Sequence, residues 1–357
     1  MNAIRDLVLR RFPGCTVLEC RRLGDDEAAG GPTTKRAGYG VPVRVTFRTA
    51  SGEDHAVVFH TARADDFGHD RRADRAAEML LAFDTYAAIP QHVPALDVGV
   101  IGEDGALRSI ADASEAYLLT GWADGELYAD DLRRIAVDGA TSRDQHRIDT
   151  LADYLVRLHA RHHGRLATYT RAVRDLVGSG EGIFGMVDGY PADVPGAPPA
   201  RLQRLEERAL AWRWKLRARQ PRLARIHGDF HPFNILFSGN NDIALLDASR
   251  GAIGDAADDV TALAINFVFF ALDDTGAWRR GLGAMWHRLW TRYLKGSGDH
   301  ELLEVAAPWL AWRALVIANP RWYPALSEQG RERLLSWIER ALDASRFDPA
   351  SADEVPP

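Results

Sequence analysis

Cysteine is nearly absent from this 357-residue sequence, with Cys15 and Cys20 the whole complement. A disulfide framework is therefore excluded, and a chain of this length buries enough surface not to need one. The pair reads as small buried hydrophobes. Long apolar runs are missing too. The richest, ALAINFVFFAL at 262–272, contains Asn266 and falls far short of the ~20 residues that span a bilayer. It reads as a buried helix, and no membrane partner is expected. Nor is there a basic excess: 44 Lys and Arg stand against 50 Asp and Glu, a formal charge of -6. That balance argues against a general nucleic-acid or anionic-membrane binder. The start, 1–13, is amphipathic and carries Asp6, without an apolar stretch of signal-peptide length. A reducing, cytoplasmic setting is expected.

What is present is an ordinary globular composition, 46% hydrophobic and 26% charged, long enough for two or three domains or lobes. CTVLEC (15–20), VPVRVTFRT (41–49) and HAVVFHTA (55–62) read as strands. Val43, Val45 and Phe47 alternate with Arg44 and Thr46, which is period two. ASGED (50–54) supplies a hairpin turn. Residues 71–89 read as a helix, and EAYLLTGW (115–122) as one more strand. After residue 122 the pattern turns helical: 144–163 carries Ile148, Leu151, Ala152, Leu155 and Leu158 on one stripe. GSGEGIFGMVDGYPADVPGAPP (178–199) reads as a loop or lid, and 200–219 as a helix. Trp286, Trp290, Trp309 and Trp312, at helix spacing, read as core. The expected fold class is α+β in two lobes. Residues 1–121 would form a small β-rich N-lobe with one helix, 122–347 a larger helical C-lobe, and 348–357 a disordered polar tail.

Two aspartates interrupt this apolar logic. In IHGDFHPFNILFSGNNDIALLDASRG (226–251), Asp229 precedes the apolar segment 235–237 and Asp247 ends the run 243–246. If those segments form a hairpin about SGNN (238–241), a turn rich in residues that tolerate left-handed dihedrals, Asn234 and Asp247 meet at its open end. Asp229 sits in the loop leading in. One amide and two carboxylates then converge, which suits a hard divalent cation such as Mg²⁺. A group nearby that is not a ligand can orient a hydroxyl. Phosphoryl transfer asks for this arrangement, since it needs positioning and charge neutralisation more than covalent chemistry.

At these residues the chain resembles the aminoglycoside phosphotransferase and choline kinase family. HGDFHPFN is similar to its catalytic loop, and LLDASRGAIGDAADDV (245–260) to its metal-binding motif. LADYLVRLHA (151–160) resembles the helix preceding the loop. YLLTGWADGELY (117–128) resembles the hinge whose backbone receives adenine, which would include Thr120 and Trp122. The resemblance covers roughly residues 15–340 and implies a two-lobed protein-kinase-like fold. It further implies Asp229 as base, His227 as loop organiser, and Asn234 and Asp247 as ligands of Mg²⁺ accompanying ATP or another nucleoside triphosphate. Asp259 would brace a helix start. DDFG (65–68) lies upstream of the catalytic loop, so chain order excludes Asp66 as the metal ligand.

One family element is lacking. A lysine is expected on the third strand, paired with a helix glutamate, yet the chain has three lysines, Lys35, Lys215 and Lys295. His60 is the nearest equivalent on that strand. Glu78 or Asp74 stands for the glutamate. The loop KRAGYG (35–40) offers a substitute: Gly38 and Gly40 permit close backbone approach, and Lys35 or Arg36 brings charge. The expected activity is transfer of the γ-phosphoryl group to a hydroxyl of a small molecule. The alternative is a nucleotide-binding regulatory or scaffold protein with weak or no transfer. A polycationic acceptor would want acidic residues such as Asp124, Glu126, Asp130, Asp131, Asp273 and Asp274.

Overall fold

A computed structural model describes residues 1–23, 42–66, 68–160, 164–239, 241–248, 250–274 and 276–356. The chain divides into two units, Met1–Thr120 and Gly121–Pro357.

The first unit opens with helix α1 (Asn2–Arg11), followed by strands β1 (Thr16–Arg22), β2 (Val43–Arg48) and β3 (Asp54–Phe59). They form an antiparallel sheet in the order β1-β2-β3. The alternation of β2 has its expected effect: Val43, Val45 and Phe47 are buried and Arg44 and Arg48 are exposed. With Val8, Cys15 and Val17 they make a small core. Helix α2 (Arg72–Thr85) and the hairpin of β4 (Gly99–Ile101) and β5 (Leu107–Ser109) follow. Asp74 accepts from the Arg71 N–H at 2.9 Å and so caps α2. EAYLLTGW is not a strand. Residues 113–125 carry no regular structure, and Tyr117, Leu118 and Leu119 are exposed, with no strand paired to them among the described residues. High β-propensity needs a neighbour to become a strand.

The second unit begins with β6 (Glu126–Leu127) and continues through α3 (Tyr128–Asp138), α4 (Ser142–Leu158), α5 (Leu166–Gly178), α6 (Ile183–Asp188) and α7 (Pro199–Leu216). Then come β7 (Leu223–Arg225), β8 (Ile235–Phe237), β9 (Ile243–Leu245) and β10 (Ile253–Asp255), and the helices α8 (Ala256–Phe269), α9 (Gly283–Ser297), α10 (Leu302–Ala318) and α11 (Glu328–Asp343). Strands order as β6-β8-β9 and β10-β7. The α4 stripe of Ile148, Leu151, Ala152 and Leu155 is fully buried, and so is nearly all of α8. The four tryptophans belong to the core. Among the described residues no helix is long and apolar enough to cross a membrane.

Two further expectations are corrected. The segment 178–199 is packed, not a free loop: it contains α6, the Tyr190 hydroxyl donates to the Leu315 carbonyl, and the Trp312 indole donates to the Glu181 carbonyl, both at 2.6 Å. Residues 348–356 are ordered as well. Pro349–Glu354 form a 3-10 turn whose Ala352 is buried, and the Trp286 and Trp337 indoles donate to Pro349 and Ser351. Composition alone signalled disorder, but two indole donors in the core find their acceptors there.

Candidate active site

The loop 226–234 is held from behind. Asp255 N-caps α8 through the Ala257 N–H at 3.0 Å. Its carboxylate also receives Arg222 at 2.9 and 3.0 Å and the Tyr169 hydroxyl at 2.8 Å. This anchored first turn presents Asp259, which accepts from the backbone N–H groups of His227 (2.7 Å) and Gly228 (2.8 Å). His159 Nε2 lies 3.1 Å from the same carboxylate, and its Nδ1 meets the Tyr293 hydroxyl at 2.8 Å. Asp259 therefore braces the loop itself, a more direct task than bracing a helix start. Gly228 has φ +82°, and a Cβ there would stand 3.2 Å from the Gly251 carbonyl oxygen. Both facts call for glycine. His227 Nδ1 accepts from the Asp229 N–H at 3.3 Å.

The Asp229 carboxylate is used unevenly. Oδ1 accepts from Arg250 Nη2 at 2.7 Å and Arg313 Nη1 at 2.9 Å. Among the described residues Oδ2 has only long contacts, His231 Nε2 and Asn234 Nδ2, each at 3.4 Å. Burial alone would raise this carboxyl. The His231 hydrogen bond and the Arg313 and Arg250 charges outweigh burial and hold it well below the usual carboxylate range.

The hairpin forms where the sequence placed it. Ile235 pairs with Leu245 and Phe237 with Ile243, and the ladder continues one bond further, from the Leu246 N–H to the Asn234 carbonyl at 3.0 Å. Asp247 is the next residue. Asn241 in the turn and Asp247 at the open end both adopt positive φ, +60° and +51°. Asn234 is buried and donates to the Asp229 carbonyl oxygen at 3.1 Å. Asp247 is exposed, and among the described residues it has no ion-pair partner.

Sequence reasoning missed three groups here, Arg250, Arg313 and Asp258. Arg313 bridges two carboxylates, because its Nη2 donates to Asp258 Oδ1 at 2.6 Å. Burial pushes the Asp258 carboxyl up to about 6, against the opposing pull of the Arg313 and Arg250 charges. Both guanidiniums lie over the Trp312 ring, at 4.4 Å for Arg250 and 4.1 Å for Arg313. The signal available for Arg313 was its isolation as a lone charge in the apolar run 305–318. Such a residue is paired when buried.

The expected nucleotide residues are not gathered in this way. Lys35, Gly38 and Gly40 lie outside the described residues. His60 is exposed just past β3. Glu78 sits 3.4 Å from His69 Nε2. Thr120 and Trp122 are exposed, and the Trp122 indole donates to Asp124 at 2.8 Å. The acidic acceptor candidates are engaged elsewhere. Glu126 binds Arg143 at 2.8 Å, Asp130 binds Arg133, Asp131 binds Arg147, Asp273 takes the Ser327 hydroxyl, and Asp274 binds Arg280.

A family model described as the phosphotransferase enzyme family matches residues 44–295. No curated protein sequence matches the chain. Among solved structures it is similar to a glucosamine kinase in complex with glucosamine, ADP and inorganic phosphate. That likeness has 19% identity, 63% of this chain and 57% of that one, and a TM-score of 0.36. The chain thus spans little more than half the length of that relative. It is also similar to an aminoglycoside phosphotransferase from Streptomyces rimosus, with 16% identity, 88% of this chain, 98% of that one and a TM-score of 0.34. For an amicoumacin kinase in complex with AMP-PNP, Ca²⁺ and Ami the values are 14%, 98%, 96% and 0.41. The family match covers well over half the sequence and includes both the Asp229 loop and the Asp247 hairpin, and on that ground the chain belongs to the phosphotransferase enzyme family.

Proposed function

We propose that this protein transfers the γ-phosphoryl group of ATP, or of another nucleoside triphosphate, to a hydroxyl of a small molecule, with Asp229 as base. The observation that carries the reading is the uneven Asp229 carboxylate. One oxygen is engaged by two guanidiniums, and among the described residues the other has only two contacts, each of 3.4 Å. A hydroxyl that replaces those long contacts at Oδ2 is oriented for attack; its proton passes to that oxygen as the new O–P bond forms, and the bond from the γ-phosphorus to the β–γ bridging oxygen breaks, with ADP leaving. A depressed carboxyl fits a loose transition state, in which alignment matters more than early proton removal.

The residues present fit a divalent cation. The Asn234 side chain spends its Nδ2 on Asp229, and among the described residues its carbonyl oxygen has no hydrogen bond. Asp247 offers a carboxylate that is unpaired among the described residues. One neutral and one anionic oxygen suit Mg²⁺, which keeps several waters. When bound, such an ion would neutralise phosphate charge. Lys35, or His60 in its place, would compensate the remaining phosphates, with Gly38 and Gly40 letting the backbone approach. Thr120 and Trp122 would lie at the adenine.

A second reading is nucleotide binding with little transfer. The third strand, Asp54–Phe59, carries no lysine, and His60 stands just past its end, which favours it. The test is ADP release with MgATP over a panel of hydroxyl compounds, run beside calorimetric titration of MgATP. Stimulated ADP release supports transfer. Binding without stimulation by any acceptor supports the second reading, and absence of binding removes both.

A further inference from the structure

Arg313 stands where a charge is costly. Helix α10 is buried along almost its whole length, and an isolated guanidinium there would carry a large desolvation penalty. Two carboxylates from different elements offset it, Asp229 on Nη1 and Asp258 on Nη2. The guanidinium is a rigid planar fork, so fixing Nη2 on Asp258 fixes the direction of Nη1. Asp258 in turn is fixed, since it lies in the first turn of α8, which Asp255 and Arg222 anchor. The chain of contacts therefore runs from a buried helix start to one oxygen of the base. Arg250 reaches the same oxygen from a loop, with no second carboxylate within 3.5 Å among the described residues.

We propose that Arg313, held by Asp258, is a positioning residue that assigns the two oxygens of Asp229 their roles, locking Oδ1 and leaving Oδ2 to the acceptor hydroxyl. This rests on the phosphotransfer reading for its consequence in catalysis, though not for the charge link itself. The pair has a built-in pH dependence. The groups facing the Asp258 carboxyl are Arg313 from α10, Arg250 from the loop after β9, and Asp259 beside it on α8. As pH falls through about 6, Asp258 takes up a proton, and Arg313 loses the charge that anchors it. Asp229 stays ionised there, so the loss is one of alignment. For stability the sign is opposite. Burial makes the folded state hold this proton more firmly than the unfolded chain does, so the group's stabilising contribution is present at low pH and is lost as pH rises through about 6.

That opposition gives the test. Asp258→Asn retains an oxygen for Arg313 but no charge, and Arg313→Lys retains the charge without the fork. Slow ATP hydrolysis with water as acceptor, measured with MgATP from pH 5 to 8, supplies kcat and KM. The expected result for Arg313→Lys is a kcat lowered about tenfold or more, with KM for MgATP within about threefold. Asp258→Asn should lose the acid limb near pH 6 and unfold no earlier than the parent at pH 8. A merely structural pair predicts the reverse: earlier unfolding with unchanged kcat per folded molecule and an unchanged pH profile, and that overturns the proposal. NMR of ¹³Cγ-aspartate-labelled protein, assigned with the Asp258→Asn spectrum, reads the link without turnover. An Asp229 resonance that shifts as Asp258 titrates supports the proposal, and one that does not move contradicts it. A parent that neither binds nor hydrolyses ATP removes the phosphotransfer reading, and the NMR result then decides the charge link alone.

Discussion

The first unit is held by period-two alternation, the second by polar convergence on a buried scaffold. In Met1–Thr120 a small core of Val8, Cys15, Val17, Val43, Val45 and Phe47 supports one three-stranded sheet, and α2 has no buried side chain. In Gly121–Pro357 the helices bury Trp286, Trp290 and Trp337 almost completely. Carboxylates at 229, 255, 258 and 259 are fastened there by arginines, backbone N–H groups and His159. Charges survive burial only when partnered. The proposed chemistry therefore falls in the unit whose core is large enough to hold such networks still.

The largest effect should come from the base. Asp229→Asn is expected to lower phosphotransfer by roughly a thousandfold and leave MgATP binding within a few fold, measured by ADP release and calorimetry. Loss of nucleotide affinity with normal turnover of the bound complex would move the chemistry away from this loop. Next is the hairpin end. Asp247→Ala should weaken Mg²⁺-dependent nucleotide binding by roughly a hundredfold and Asn234→Ala by roughly tenfold, since a carboxylate contributes more than an amide. Equal small effects in a Mg²⁺ titration would remove the metal assignment.

Stability sharpens the contrast between the units. Asp259→Ala strips the acceptor from two loop N–H groups and from His159, and should cost about 3 kcal/mol in denaturant unfolding. Phe47→Ala should cost a similar ~3 kcal/mol, read locally as faster hydrogen exchange of the β2 and β3 amides. If exchange of those amides is unchanged, the small core does not hold the sheet. The smallest effect is expected on the phosphates. Lys35→Ala should weaken ATP binding about fivefold, near 1 kcal/mol, and His60→Ala less. The opposite ranking would place the compensating cation on the third strand.

The legible parts of the fold were those with local causes. Alternation at 43–47 yielded β2, and the α4 stripe yielded a buried helix face. Residues tolerant of left-handed dihedrals yielded the turn before β9. EAYLLTGW failed because strand formation depends on a partner that the segment itself does not specify. At the site, loop and hairpin were readable because their polar residues interrupt apolar runs within 30 residues of one another. Arg313 was not, since its tie to Asp229 crosses 84 positions and no local pattern announces where a buried guanidinium points. Asp258 was hidden beside Asp259, whose match to a motif drew the reading.

Asp229 is proposed to serve a transfer of phosphate to a hydroxyl. ³¹P NMR of the full chain with MgATP and a panel of hydroxyl compounds tests it most directly. In the parent a new phosphate-ester resonance should grow with ADP, and with Asp229→Asn it should be absent. An ester that still forms with Asp229→Asn, or nucleotide that stays intact with every acceptor in the parent, would contradict it.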